Sequence, residues 1–401
     1  MTFIRSLLFT FLLFPIVVSA QENADSLSRC PVVSFLTCSE GPEIYELEGH
    51  TAIRVVDPVN GTDYVVNWGI FDFAAPNFVY RFVKGETDYM SGTAPTRYFL
   101  SQYARQGRTV TEQRLNLTPG QTDTLIAMIE DCVRPENRVY RYNYVYDNCS
   151  TRALSFVEKA IGDTLALAQS SLSPDADTFR KVMTRFHTNY PWYQFGIDLA
   201  LGSGIDKRLS HRELAFAPVV LCEMLENATD ASGNRIVSST EYLIDNHNSS
   251  PVEGPTPWYA TTLAVSLYIL IVSILLTIRD IRRHRLSRWF DTILFSIFGL
   301  MGCVITFLVF VSVHEATSPN WLLMWLNPLC FVPAILTWVK KGKDLLLWYH
   351  FLNFATLIVL VNLLVFGVQS PNAAFYPLIA ADILRSLANI CVIIWSKRHH
   401  R

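Results

Sequence analysis

"GHTAIRVVDPVNGTDYVVNWGIFDF" (residues 49–73) reads as two strands joined by a turn. Thr51, Ile53 and Val55 alternate with polar neighbours, the period-two pattern of a strand with one buried face. Pro58, Asn60 and Gly61 supply turn chemistry, and "DYVVNWGIF" returns as a β-branched and aromatic run. This hairpin makes the first half of the chain a sheet protein.

Further along, the periodicity changes to that of helices. "PTRYFLSQYARQ" and "LTPGQTDTLIAMIEDCV" read as helices, the second with Thr118 at the N-cap and Pro119 at N1. "NRVYRYNYVYDN" (137–148) is aromatic and reads as extended, and "CSTRALSFVEKAIG" (149–162) reads as a helix stopped by Gly162. Strands and helices without a βαβ alternation predict an α+β domain. Residues 163–230 read as helical and loop-rich, and 231–257, with several turn residues, as a linker. The expected domains are therefore 21–230, a linker 231–257, and 258–401.

The two ends of the chain set its compartment. "MTFIRSLLFTFLLFPIVVSA" has one basic residue, an apolar run and a small-residue ending, which predicts a secretory signal over residues 1–20. From Trp258 onward, runs of spanning length appear at 258–278, 290–313, 321–338, 345–367 and 376–396. "RDIRRHRLSR" (279–288), "KKGK" (340–343) and "KRHHR" (397–401) are basic, whereas "HEATSPN" (314–320) and "VQSPNAAF" (368–375) carry no Lys or Arg. The positive-inside rule then places the C-terminus in the cytoplasm and residues 21–257 outside, in agreement with the signal. Net charge is −2, and no basic stripe points to nucleic acid.

Of eight cysteines, Cys30, Cys38, Cys132, Cys149 and Cys222 fall in the exported part, an odd number that leaves a thiol unpaired. Cys30 with Cys38, and Cys132 with Cys222, remain open pairings. No pair has zinc or redox spacing, and no metal or cofactor is expected. Cys149 sits at a helix start, where unsatisfied amides lower a thiol pKa and offer oxyanion donors. An imidazole partner must come from His50, His187, His211 or His247. His50 opens a strand, a rigid platform, and Asn67 on the neighbouring strand is placed to orient its ring. Each has a plainer role: a buried thiol, a satisfied strand-end histidine, a bulge asparagine. Asp147, Asn148, Ser150 and Thr151 read first as capping groups.

The order "GHTAIRV", "YVVNWGIFDF", "YDNCSTRAL" resembles the circularly permuted papain-like thiol enzymes, with lecithin:retinol acyltransferase a distant relative. In those relatives a second histidine often fills the orienting position, which Asn67 takes here. "KGETDY", "LNLT", "LGSGIDK", "NWLLMWLNPL" and the multi-span tail extend the similarity, over nearly the whole chain, to the Lnb type of lipoprotein N-acyltransferase. That resemblance implies a permuted papain-like periplasmic domain, followed by an all-α membrane domain of about five transmembrane helices in the bacterial inner membrane. It implies Cys149 as nucleophile, with His50 and Asn67 in support. The reaction would move an acyl chain from a phospholipid donor to the N-terminal amine of a diacylated lipoprotein. A hydrolase of the same fold and a non-catalytic assembly factor are the alternatives.

The membrane half adds weaker candidates. Asp382 and Arg385, at i and i+3 within one span, are expected to pair, and intramembrane charges are functional candidates by default. His314, Asn320 and Asn327 cluster toward the outer face and are read as contacts to substrate headgroups. Interfacial polar anchoring is their plainer role.

Overall fold

The computed structural model describes residues 30–72, 74–172, 178–247 and 252–399. The proposed signal, residues 1–20, lies outside the described residues. The hairpin of 49–73 forms the middle of a seven-stranded antiparallel sheet. Its strands are β1 (Val32–Cys38), β2 (His50–Asp57), β3 (Thr62–Ile70), β4 (Asp88–Pro95), β5 (Val110–Leu115), β6 (Val139–Arg141) and β7 (Val237–Ile244). Their spatial order is β6-β4-β3-β2-β1-β5-β7.

Alternation along the central strands gives the sheet two apolar faces. Val33, Phe35, Ile53, Val55, Val66 and Trp68 join one core, while Leu36, Cys38, Ala52 and Val65 join another with Phe99 and Tyr103. Between β3 and β4 runs α1 (Phe78–Lys84), and α2 (Thr96–Arg105) supplies Phe99 and Tyr103 to the second core. Helices α3 (Pro119–Cys132) and α4 (Cys149–Ile161) line the first core through Leu125, Ile129, Ala153, Leu154 and Val157. The signals read from sequence hold here: Thr118 caps α3 in a capping box, and Gly162 ends α4 at φ 84°.

Residues 231–257 were expected to be a linker. Instead 237–244 form β7, the edge strand paired with β5. Its burial is mixed, with polar side chains exposed between turn-rich flanks, so an alternation signal was weak. Cys38, Cys132 and Cys222 are free thiols, so neither open pairing is made.

The described residues divide into two compact units. One comprises 30–72, 88–172, 210–247 and 252, and the other 74–87, 178–209 and 253–399. The second unit contains α1, α5 (Phe179–Phe186), α6 (Pro191–Ala200) and the apolar helices. Helix α7 (Pro218–Leu225) belongs to the first.

Four helices of the second unit are long and apolar enough to cross a membrane: α8 (Thr262–Arg283), α9 (Arg288–Phe310), α11 (Lys343–Val365) and α12 (Phe375–His399). The expected span at 321–338 is not a continuous helix. It is broken into 3-10 turns at Trp321–Met324 and Pro328–Cys330, followed by the short α10 (Phe331–Leu336). Pro328 and Pro333 remove amide donors, and the Asn327 side chain accepts from the Leu329 amide in place of a helical carbonyl. The segment still runs the length of α11. At one end Trp321 N–H and the Asn320 side chain meet Gln369 beyond α11, and at the other Lys340–Gly342 turns into the start of α11.

Candidate active site

Helix α4 begins at Cys149 because Asn148 caps it. Asn148 Oδ1 accepts from the amides of Ser150 (2.9 Å) and Thr151 (3.0 Å), and Thr151 Oγ1 accepts from Asn148 N–H in return. The Asn148 side-chain amide donates to the carbonyls of Tyr144 and Phe216, and Ser150 Oγ donates to Ala215 O. Capping was the role read for Asp147, Asn148, Ser150 and Thr151; Asn148 and Thr151 fill it, whereas the Ser150 hydroxyl bonds Ala215 O and Asp147 pairs with Arg152. The cap also removes two amides from the oxyanion donors that a bare helix start would offer.

The Cys149 sulfur is buried and faces the backbone amides of Thr51, Ser150 and Cys149 itself. The Thr51 contact brings the sulfur to the first turn of chain in β2, one residue from His50. Burial pushes the Cys149 thiol up to about 11, more than these amides pull it down. The expected low pKa is thus corrected: position at a helix start is outweighed by desolvation.

His50 follows Gly49, which is held at φ +85°. A side chain on Gly49 would meet Cys38 O at 2.6 Å and Val219 Cγ1 at 2.9 Å, so no larger residue fits the entry to β2. Asn67 stands where the β3–β4 register shifts, and its Oδ1 lies 3.0 Å from His50 Nε2. A carbonyl oxygen accepts, so Nε2 carries the proton and Nδ1 keeps its lone pair. Burial lowers the His50 pKa to about 4, and the Asn67 hydrogen bond opposes that shift. At neutral pH the site holds a neutral thiol and a neutral imidazole. No hydrogen bond joins the Cys149 sulfur to the His50 ring among the described residues. Such contacts often close only around substrate.

Groups absent from the sequence reading surround the sulfur. Glu48 is buried, accepts from Tyr144 Oη at 2.6 Å, and its charge opposes thiolate formation. Tyr142 stacks on Tyr89 at 4.4 Å, Arg152 lies 3.7 Å over the Tyr140 ring, and both tyrosines interact electrostatically with Cys149. The spacing of Tyr140, Tyr142 and Tyr144 in "YRYNY" was the available signal.

The membrane-half candidates do not gather at one place. Arg385 does not pair with Asp382: its Nε reaches Asp291 Oδ1 at 2.6 Å and its Nη2 reaches Asp280 Oδ2 at 2.7 Å. Asp382 instead accepts from the Asn353 side chain at 2.7 Å. Residues at i and i+3 are about 60° apart around a helix, which here turns Arg385 to α8 and α9 and Asp382 to α11. His314 Nε2 donates to Phe82 O (2.8 Å), the Asn320 side chain donates to Leu199 O (2.8 Å), and Asn327 caps Leu329. All three have structural partners. His187 pairs with Gln194, and His211 with the carbonyls of Leu167 and Ala168.

Residues 19–185 match the family model of the Lnb N-terminal periplasmic domain, and residues 255–397 that of the Lnb transmembrane domain. The chain belongs to the Lnb family. It is a membrane protein with a periplasmic N-terminal domain, and Lnb membership supports a lipoprotein-modifying membrane enzyme. No curated protein and no solved structure matched it.

Proposed function

We propose that this Lnb-family protein is a lipoprotein N-acyltransferase working through a thioester on Cys149. The observation that carries the reading is the sulfur at the capped start of α4, met by the Thr51 amide beside the His50–Asn67 pair. His50 Nδ1 takes the thiol proton as sulfur attacks a phospholipid ester carbonyl, and Asn67 Oδ1 steadies the imidazolium through Nε2–H. The ester C–O bond breaks, the leaving glycerol oxygen takes that proton, and the acyl chain stays on sulfur. The α-amine of a diacylglyceryl-cysteine lipoprotein then attacks the thioester. Its C–S bond breaks, an amide forms, and the proton lost by the amine passes through His50 to restore the thiol. With the Ser150 and Thr151 amides occupied by Asn148, the Cys149 and Thr51 amides are the donors left for the oxyanion.

The same family assignment supports an orientation. Residues 74–87, part of the periplasmic match, pack on the C-terminal end of α9. That end is then periplasmic, and the crossings of 321–339, α11 and α12 bring the C-terminus to the cytoplasm. An inner-membrane protein drawing on periplasmic-leaflet phospholipid fits this arrangement.

Mass spectrometry of a lipoprotein N-terminus tests the proposal. Cells or vesicles with the protein should yield a third acyl chain, and Cys149→Ala should abolish it. His50→Ala should lower the rate by about 10²–10⁴-fold, and Asn67→Ala by less. Free fatty acid or cleaved peptide without an acylated amine would make it a hydrolase. Full activity of Cys149→Ala would end the covalent reading.

A further inference from the structure

Helix α1 has no buried residue, although its sequence FVYRFVK is mostly apolar. Val79 is 73%, Tyr80 54% and Phe82 48% exposed. A helix this short does not hold itself together in water, and a contiguous exposed apolar surface marks a binding face. What holds α1 is the end of α9. Val313 N–H donates to Lys84 O at 2.9 Å, His314 Nε2 to Phe82 O, and the Tyr80 ring meets Phe307 at 6.1 Å. Exposed Phe310, Val311 and Val313 continue the same surface from the membrane-spanning helix. The basic groups of α1 are turned to their own chain: Lys84 pairs with Glu86 at 2.7 Å and Arg81 donates to Glu86 O. A second feature of this unit repeats the pattern. Trp258 and Tyr259 stand exposed just before α8, and Trp192 of α6 donates to Ala260 O. Such aromatics are the interfacial belt of membrane proteins.

We infer that α1 is a membrane-interface helix whose Val79, Tyr80 and Phe82 side chains lie in periplasmic-leaflet phospholipid, extending the lipid-facing surface of α9. The inference rests on the orientation above and not on acyl transfer.

The test places the photo-crosslinking residue benzoylphenylalanine singly at Val79 or Phe82 of the full-length protein, in vesicles of phosphatidylethanolamine and phosphatidylglycerol. Val59, exposed in the β2–β3 turn, is the water-facing control, and Val304, exposed on α9, the lipid-facing one. Phospholipid-mass adducts at 79 and 82, matching 304 and missing at 59, are expected. Adducts at 304 with none at 79 and 82, or only protein adducts there, overturn the inference. Run in a Cys149→Ala background, the adducts persist even if the acyl-transfer reading fails.

Discussion

At the residue scale, the proposed site would rest its reactivity on a proton transfer rather than on a standing ion pair. With the thiol pushed to about 11 and the imidazole to about 4, neither group is charged near neutrality. Alkylation of Cys149 by iodoacetamide, followed by peptide mass spectrometry, should rise about tenfold per pH unit from pH 6 to 9 without a plateau. A plateau below pH 8 would mean a preformed thiolate. Asn67→Ala removes a bond that raises the His50 pKa, so the acid limb of kcat/KM should move to lower pH while kcat falls. The placement of Cys149 at a helix start and of His50 and Asn67 on paired strands was legible because cap, strand start and hairpin each leave a sequence mark. Their protonation was not, because burial is a property of the packed core around Cys149, to which Val66 and Trp68 contribute across the chain.

Elements show the same division. The hairpin, α3 and α4 could be read because turn and cap residues bracket them. The break in the span expected at 321–338 had its signals too, in Pro328 and Pro333, but a run of apolar residues masked them. What no pattern disclosed is why the broken segment fits. A side chain on Gly302 of α9 would sit 2.4 Å from the Asn327 backbone, and one on Gly299 would meet the Phe331 ring at 3.0 Å. Gly302→Ala should therefore destabilise the protein in detergent by about 1–3 kcal/mol, read as a lower Tm. Gly196→Ala in α6, where a side chain meets nothing within 4 Å, should leave Tm unchanged or raise it.

On the scale of the whole molecule, two segments of the N-terminal half, 74–87 and 178–209, belong to the unit of the apolar helices. Sequence composition could not anticipate this, since both stretches carry the mixed residues of a water-facing domain. Their attachment uses the residues read as substrate contacts, with Asn320 on Leu199 and His314 on Phe82. A buried ionic knot holds the opposite end: Arg385 between Asp280 and Asp291, with Asn389 donating to Asp291. Arg385→Met takes the cation from buried Asp291, while Asp280 keeps Arg279 at 2.9 Å, and should cost about 3–5 kcal/mol, measured as lost thermal stability. Adding Asp291→Asn should restore part of it.

The interrupted apolar segment 321–339 also bears on how the protein is made. A stretch without a continuous helix leaves main-chain groups that lipid cannot satisfy, so it cannot enter the bilayer alone. Some of its partners come earlier in the chain, Thr292 and Gly302 of α9 among them, and Gln369 comes later. Chains truncated near residue 342 should therefore insert that stretch less completely than the full chain does.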